Sequence, residues 1–334
     1  MMVSQIRAQQ GLTLIEIMVA LTLSLVLMGG VIQLFLSSKQ TYRTNEALAS
    51  LQESARFALD NITRDARIAS YQGCLDPNDP RIFPGVAVIN NPPLVSFMES
   101  GIEGTEGSAA SDSLTLRSAT AVSASLVQDT DPVNGSMVID VNRQNIATDN
   151  IVVIADCATA HVVRVTNVTI DETTGNTTIS FDATENDLAV FENKAYQPIN
   201  TKVMGFSTAE YTVADTGRKN TRGEAIFALF RNGVELVEGV EQLQVQYGER
   251  VSNDTKVRFV DADDGSLDMT KVVSVRIGLL VAATQATAGQ DDNQTYSLVG
   301  TAVGPAGGGT TVTHAVDQRI RRAFNTTISL RNRR

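Results

Sequence analysis

A single carboxylate lies near the start of a long apolar segment at the N-terminus. A short polar leader containing Arg7 ends at Gly11, and residues 12 to 36 contain Glu16 as their only formal charge. An acidic side chain at the centre of a membrane-spanning helix costs roughly 3 kcal/mol, and less near the helix ends. A carboxylate kept at such a cost indicates that the acid serves a function there.

Few other residues have the type and spacing that catalysis requires. The chain has two histidines, His161 and His314, and it has no sequence motif of a metalloprotease, a serine hydrolase or a phosphate-binding loop. His161 lies in an alternating strand pattern, where we expect a half-exposed structural residue. We therefore predict no catalytic residue, no enzyme activity and no cofactor.

One acidic turn partly matches a calcium-binding loop. Residues 261 to 265 read Asp-Ala-Asp-Asp-Gly, but the glycine comes one place early for an EF-hand. Val272 stands at the twelfth position, where that loop has a glutamate. A polar surface turn is the preferred interpretation and no metal site is predicted, with a weak calcium site as the alternative.

The two cysteines, Cys74 and Cys157, stand far apart in the chain. In an exported domain such a pair is expected to form a disulfide. Closing so long a loop stabilises a fold by up to about 4.5 kcal/mol in the chain-entropy description. Two separate thiols are the alternative, and no cysteine–histidine spacing suggests zinc.

The charge distribution argues against general nucleic-acid binding. The formal net charge is −10, although residues 319 to 334 contain six arginines and no acid. An acidic body repels a polyanion. The basic C-terminus is interpreted as the solvated face of an edge strand or as a contact for an acidic partner, and DNA contact is the less favoured alternative.

Helical periodicity continues well beyond the apolar segment. Apolar residues recur three or four positions apart, with charged residues between them. This stripe consists of Leu48, Leu51, Ala55, Ala58, Ile62, Ala66 and Ala69. No proline interrupts residues 12 to 76, and Gly73 and Pro77 mark the end of the pattern. One helix from about Leu12 to about Ser70, on the order of 88 Å long, is predicted.

Two adjacent glycines, Gly29 and Gly30, lie inside the apolar half of this helix. Each costs about 1 kcal/mol relative to alanine in a helix. Two interpretations stand: the segment unwinds when subunits assemble, or its small residues allow close helix packing.

Beyond residue 75 the sequence is rich in Thr, Val, Asn and Gly and predicts an antiparallel β-rich domain. The predicted strands cover residues 113–117, 137–141, 151–155, 161–170, 177–181, 225–230, 234–237, 243–247, 272–281 and 320–330. Turns at 171–176 and at Asn232-Gly233 join two hairpins. Loops are expected at 76–82, 99–112, 261–268 and 285–294, with a flexible tip from Gly304 to Gly309. The fold class is α+β, with a possible sub-boundary near residue 200.

The N-terminal segment resembles the class III signal of type IV prepilins. Its residues are Gly11-Leu12-Thr13-Leu14-Ile15-Glu16, with Leu12 where the family usually has phenylalanine. The resemblance implies cleavage by prepilin peptidase after Gly11, N-methylation of Leu12 and pairing of Glu16 with a neighbouring subunit's N-terminal ammonium. In a tip subunit, Glu16 has two other partners open to it: its own N-terminus, or a minor-pilin neighbour that lacks such a group.

Other readings of the segment explain less of it. A cleavable secretory signal has a shorter apolar core followed by a small-x-small cleavage site. A plain signal anchor accounts for the length of the apolar segment but gives no role to Gly11 or Glu16. Basic residues flank the segment on both sides, so the orientation with the N-terminus inside comes from the family resemblance.

The second half of the chain resembles large minor pilins of the PilW type. The similar blocks are Arg231-Asn232-Gly233, residues 238–248, residues 272–277 and residues 321–333. The resemblance implies a lollipop fold, in which a long N-terminal helix packs on an antiparallel β-rich domain. Its expected parts are the leader at 1–11, the transmembrane or filament-core half of the helix at 12–37, the amphipathic half at 38–72 and the globular domain at 73–334.

The same resemblance implies a minor pilin that primes, and in some systems caps, type IV pilus assembly for motility, adhesion or DNA uptake. Expected partners are other minor pilins, the major pilin and a PilY-family tip adhesin. The protein is expected in the inner membrane with its globular domain in the periplasm, and later in the extracellular pilus at the tip. Alternatives are a type II secretion minor pseudopilin and a signal-anchored periplasmic binding module.

Overall fold

A computed structural model describes residues 13–75, 85–89, 92–107, 110–192, 194–251, 256–287 and 289–333. Helix α1 (Leu14–Ile68) is continuous, as predicted, and helix α2 (Pro92–Glu99) follows it. Gly11, Leu12 and Pro77 lie outside the described residues. The long helix forms because its sequence is apolar throughout the first half and periodic at helical spacing in the second.

The two halves of α1 have different surroundings. The first half is exposed along its whole length. In the second half the buried apolar side chains lie on one face and belong to the predicted stripe: Leu51, Ala55, Ala58, Ile62 and Ala66. This face packs on residues of the β-domain, including Leu114, Tyr211 and Leu243, in the largest apolar cluster of the described residues. The amphipathic half therefore serves as the spine of the domain.

The strands of the β-domain are, in chain order, β1 (Gly85–Val86), β2 (Ile102–Thr105), β3 (Ser113–Ser125), β4 (Ser136–Ile139), β5 (Ile151–Ala155), β6 (Ala160–Arg164), β7 (Asn167–Ile170), β8 (Thr177–Ser180) and β9 (Lys202–Lys219). They continue with β10 (Ala225–Arg231), β11 (Val234–Glu238), β12 (Val240–Arg250), β13 (Val257–Val260), β14 (Val272–Ala282), β15 (Tyr296–Leu298), β16 (Thr301–Pro305), β17 (Val312–His314) and β18 (Arg321–Ser329).

These strands form four sheets. The largest has the order β1-β6-β5-β9-β10-β11, with β3 paired to β9 and β2 paired to β3. A second sheet has the order β13-β12-β14-β18, and the two smaller ones are β15-β16-β17 and β4-β8-β7. Pairing is antiparallel except for β1 with β6 and β16 with β17. The fold is thus α+β, with a long helix on antiparallel sheets, as predicted.

Both predicted hairpins are confirmed. Strands β7 and β8 pair around the turn at 171–176, and β10 pairs with β11 around Asn232-Gly233. Asn232 has φ 53° and Gly233 has φ 74°. Two consecutive positive φ values are those of a type I′ turn, which Asn-Gly favours.

Several strand predictions were wrong. The predicted strand 161–170 divides into β6 and β7, which belong to different sheets. Strand β2 lies within the predicted loop 99–112, and Gly304 belongs to β16 rather than to a loop tip. Strand β9 was missed because its two ends and its centre face different neighbours, so its burial does not alternate.

A division near residue 200 is not seen in the pairing of the strands. Strand β9, which begins at Lys202, pairs with β3 and β5 from the first half and with β10 from the second. The largest sheet is therefore built from both sides of residue 200. The sequence suggested a boundary there because the pairing of distant strands leaves no trace in the local composition of the chain.

Candidate functional site

Glu16 closes a capping box at the start of α1. The Thr13 hydroxyl accepts a hydrogen bond from the Glu16 backbone N–H at 3.3 Å. The Glu16 carboxylate in turn accepts from the Thr13 N–H at 3.0 Å and from its hydroxyl at 2.9 Å. This reciprocal pair satisfies donors that the helix itself leaves unpaired. A carboxylate has further lone pairs, so Glu16 can still accept from an outside cation.

The apolar half of α1 has no packing partner among the described residues of the chain. Its large side chains are exposed, from Leu14 at 76% to Phe35 at 66%. The helix is long and apolar enough to cross a membrane. A Cβ at Gly29 or Gly30 would meet no atom within 4 Å, so intrachain packing does not require either glycine. A membrane or other subunits must cover this surface, because exposed apolar area of this extent is unfavourable in water.

A buried acid clamps the amphipathic half of α1 to the largest sheet. Asp65, only 6% exposed, accepts a hydrogen bond from the Tyr211 hydroxyl at 2.7 Å and from Arg231 Nε at 2.8 Å. Burial and the Asp65 carboxylate raise the pKa of Tyr211, so its hydroxyl stays protonated. The sequence interpretation placed Asp65 among the polar residues between the stripe positions and missed this contact, which joins residues far apart in the chain.

The predicted disulfide between Cys74 and Cys157 is present, with Cα atoms 5.1 Å apart. Cys74 follows the end of α1, and Cys157 lies in the turn between β5 and β6. Near the end of the helix, Gly73 has φ +81°, and its backbone passes close to the Met204 side chain. The bridge therefore fixes the top of the helix to the largest sheet.

Arg319 and Arg321 do not belong to the solvated face that the sequence suggested for the C-terminal arginines. Arg321 is buried and pairs with Glu241, Asp317 and Asp292 at 2.6, 2.9 and 3.3 Å. Arg319 joins the same group through Asp317 and Glu241. Burial alone would lower the pKa of Arg321, but its bonds to Glu241 and Asp317 outweigh burial and raise it. Charges taken out of water need such compensation.

A further C-terminal arginine also serves the interior. Arg333 is buried and donates to the backbone carbonyls of Glu99 at 3.0 Å and Ser100 at 2.6 Å, and to that of Thr270. Of the described arginines in this segment, Arg322 and Arg331 are exposed. The buried cluster of Arg319 and Arg321 had one signal in the sequence, the alternating order Asp317-x-Arg319-x-Arg321. This spacing places the three side chains on one side of an extended chain.

The two histidines are part of the packed interior. His161 is buried rather than half-exposed, with Nδ1 2.6 Å from the Tyr196 hydroxyl and Nε2 3.1 Å from the Val190 carbonyl. Its ring stacks on Phe191, and burial lowers the pKa of the imidazole. His314 faces backbone carbonyls of Gln294 and Ala315. Among the described residues, no three His, Cys, Asp or Glu side chains are grouped to hold a metal ion.

Four acids converge beside the predicted acidic turn. Burial and the charges of Asp112, Asp261 and Asp263 raise the pKa of Glu106 to about 7. One oxygen of Glu106 is buried without a hydrogen-bond partner in the described part of the chain. Asp112 accepts from the backbone N–H groups of Gly107 and Val245 at 3.0 and 2.7 Å. The charges of the acidic turn therefore act on Glu106, in the segment between β2 and β3, and favour its protonated form.

Comparison with known families assigns both ends of the chain. The family described as Type IV Pilus-assembly protein W matches residues 210–332, which run from within β9 to three residues beyond β18. The prokaryotic N-terminal methylation motif matches residues 6–32, which include Glu16 and both glycines of the apolar half. The chain therefore joins a PilW-type domain to a prepilin-like N-terminus. No curated protein matches the chain.

The PilW match covers the sheet residues that bind Asp65 and the cluster of buried C-terminal arginines. Tyr211, Arg231 and the arginines around Asp317 all fall inside the matched residues. The sequence resemblance found at residues 231–280 and at the C-terminus is therefore confirmed. Residues 80–200 lie outside both matches, although their strands β3, β5 and β6 complete the largest sheet of the PilW-type protein.

A groove follows the exposed side of the amphipathic helix in the PilW-type protein. Its lower part lies between Arg43, Glu46 and Ser50 on α1 and the segment 283–287 of the domain. Its upper part lies between Ser50, Ser54 and Phe57 on α1 and strand β11. Small residues along a helix allow another chain to approach closely, so this groove is a candidate contact surface for a neighbouring subunit.

Proposed function

We propose that this PilW-type protein is a minor pilin, which joins other minor pilins in the inner membrane, primes type IV pilus assembly and remains at the filament tip. The observation that carries the proposal is the pairing of a PilW domain with a methylation-motif helix whose apolar half is exposed in the described part of the chain. Such a helix needs a bilayer before assembly and a bundle of helices after it.

The N-terminal residues have the roles expected of a prepilin in this proposal. Prepilin peptidase cleaves after Gly11 and leaves Leu12 as the methylated N-terminus, separating the 1–11 leader from the 12–37 filament-core half, the 38–72 amphipathic half and the 73–334 domain. Glu16 pairs with the N-terminal ammonium of an adjacent subunit. Each of these charges would be poorly solvated alone in an apolar filament core, and together they compensate.

The adjacent glycines Gly29 and Gly30 are the proposed site of helix unwinding on assembly. A Cβ at either position would meet no described atom within 4 Å, which supports this role because no described intrachain contact requires a small residue there. Close packing of a neighbour's helix is the other explanation. Hydrogen exchange on assembled filaments is expected to be faster at 29–30 than at mid-helix, whereas equally slow exchange would rule out unwinding.

The proposed partners are other minor pilins, the major pilin and a PilY-family tip adhesin, with the globular domain on the periplasmic side before assembly. The test is the amount of pilus sheared from cells that lack this gene, compared with wild-type and complemented cells. A large loss that complementation restores supports the priming role. Unchanged pili together with a defect in protein secretion would instead support a type II secretion pseudopilin.

An uncleaved leader would separate both pilin-like functions from a signal-anchored binding module. Mass spectrometry of the N-terminus measures this directly. The expected mature chain begins with methylated Leu12, and a chain that retains residues 1–11 in cells with active prepilin peptidase would contradict the proposal.

A further inference from the structure

The underside of the globular domain lies immediately above the apolar half of α1. Residues from Leu14 to Leu36 span about 35 Å as a helix, which is close to the ~30 Å hydrocarbon core of a bilayer. Only one helical turn later, the Gln40 side chain donates to the Thr287 carbonyl of the domain. With the apolar half in a membrane, the domain therefore meets the lipid headgroups.

The β9–β10 turn is held at the same level. Asn220 Nδ2 donates to the Thr284 carbonyl at 3.1 Å, and the Thr221 hydroxyl donates to Gln285 Oε1 at 2.9 Å. The segment 284–287 thus connects this turn to α1 near Gln40. The turn is rigid in its own right, because the Asn220 side chain accepts from the backbone N–H groups of Arg222 and Glu224 at 3.0 Å.

Both the helix and the turn present basic side chains at this level. Lys39 and Arg43 are exposed on α1, four residues apart and so on one face. Lys219 and Arg222 are exposed on the turn. None of these four has an acidic partner within ion-pair distance among the described residues, and Arg222 instead donates to the neutral Gln318 at 2.5 Å.

The acids nearby do not neutralise this group. Glu224 is directed inward, where it accepts from Asn220 and lies 3.7 Å from Arg319. Glu46 on α1 and Asp291 in the segment after 287 are exposed acids near the underside, so four cations face two anions there. The local excess of positive charge is opposite in sign to the net charge of −10 for the whole chain.

We propose that Lys39, Arg43, Lys219 and Arg222 form a headgroup-binding rim that recognises anionic phospholipids in the leaflet next to the globular domain. Exposed Tyr42, between the two helical cations, supplies the amphipathic ring that prefers a membrane interface. Contact by both the helix and the turn fixes the tilt of the domain on the membrane. The inference rests on membrane anchoring through α1, not on the pilus role.

The chain contains no tryptophan, which allows a direct test. Phe35→Trp places one reporter at the outer end of the apolar half, outside the rim. The full-length protein is reconstituted in nanodiscs of phosphatidylcholine and phosphatidylglycerol, with bromine on the acyl chains of one lipid or the other. Trp quenching by each brominated lipid, at equal mole fraction, measures which lipid is enriched beside the rim.

Phosphatidylglycerol is expected to bind beside the reporter at least about fivefold more strongly than phosphatidylcholine, since one basic residue at a charged surface alone gives about that factor. In the Lys219→Gln/Arg222→Gln variant, the logarithm of the ratio between phosphatidylglycerol and phosphatidylcholine binding should fall to half of its wild-type value or less. In the wild-type rim, 1 M salt should abolish the preference for phosphatidylglycerol. Arg331→Gln, an exposed arginine beside the far end of α1, is the matched control and should keep the full preference.

Equal quenching by the two brominated lipids would overturn the proposal. Full preference in the Lys219→Gln/Arg222→Gln variant would also overturn it, because the domain would then play no part. Absence of quenching by either lipid would show that α1 is not inserted. That outcome removes the anchoring on which the rim depends, and the pilus assay described above tests the assembly role independently.

Discussion

At the scale of single residues, Glu16 combines two interactions that are usually considered separately. Its carboxylate closes the capping box with Thr13, and its charge stands in a segment that is otherwise apolar. The cap is local and is complete within one chain. The proposed pairing with a neighbouring N-terminus uses lone pairs that the cap leaves free.

Glu16→Ala is expected to leave membrane insertion intact and to reduce assembled pili strongly, because the unpaired ammonium of a neighbour would be desolvated. Membrane fractionation and the yield of sheared pili measure the two effects. Thr13→Val is the matched control, since it removes the side-chain cap but keeps the charge. Loss of a cap costs about 1 kcal/mol at the helix end. If Thr13→Val reduced pili equally, the cap and not the charge would be the requirement.

Glu106 gives the domain a pH dependence of known sign. Its pKa rises from the ordinary 4.5 to about 7 on folding, so the folded protein holds this proton more tightly than the unfolded chain does. The protonated Glu106 side chain therefore stabilises the folded state. This stabilisation is fully present below pH 4.5 and is lost as the pH rises through 7. Glu106→Gln should be more stable than wild type at pH 8, with a difference that disappears near pH 4.

Denaturant unfolding of the two proteins at several pH values measures this difference. Glu172→Gln, in the exposed turn between β7 and β8, is the control and should leave the pH profile unchanged. A Glu106→Gln profile parallel to that of the wild type between pH 4 and 8 would contradict the assignment.

At the scale of elements, the joint between α1 and the largest sheet depends on one buried acid. Asp65→Ala leaves the Tyr211 hydroxyl and Arg231 without their common acceptor. An unsatisfied buried donor costs about 1–3 kcal/mol, and only Tyr211 is fully buried, so the free energy of unfolding should fall by about 1–3 kcal/mol. Arg231 is one-third exposed and regains hydrogen bonds to water. Denaturant unfolding of the full-length protein in detergent measures it.

Asp60→Ala is the matched control on the same helix. Asp60 pairs with Arg56 on the exposed face at 3.8 Å, and such pairs contribute less than about 1 kcal/mol. Equal destabilisation by the two substitutions would show that the joint is held by apolar packing alone.

At the scale of the whole molecule, the groove along α1 offers a position where a substitution should affect subunit assembly but not folding. Ser50 is exposed and borders both parts of the groove. Ser50→Arg should fill the groove and block a neighbouring subunit, while its effect on the free energy of unfolding stays within about 0.5 kcal/mol. Co-purification with other minor pilins from membranes measures the loss of contact.

Ser297→Arg, at an exposed position of β15 outside the groove, is the control for an added charge. It should co-purify like wild type. Normal co-purification of the Ser50→Arg variant would exclude the groove as a subunit contact.

The sequence alone determined the features that depend on neighbouring residues in the chain. Local periodicity and turn chemistry predict the length of α1, its apolar and amphipathic halves and the Asn232-Gly233 turn. The prepilin signal was recognised by its resemblance to a known family. The disulfide was predictable because the chain offers a single pair of cysteines. These features need no knowledge of distant contacts, because helix hydrogen bonds and tight turns are formed within a few residues.

Only the tertiary structure decided which distant residues meet. Strand β9 is central because β3, β5 and β10 pair with it, and the burial of Arg321 depends on Glu241 and Asp292, which come from two other segments. Asp65 looked like a surface residue of the helix until Tyr211 and Arg231 were placed beside it. Burial and pKa depend on the sum of such non-local contacts, and a pattern along the chain does not encode that sum.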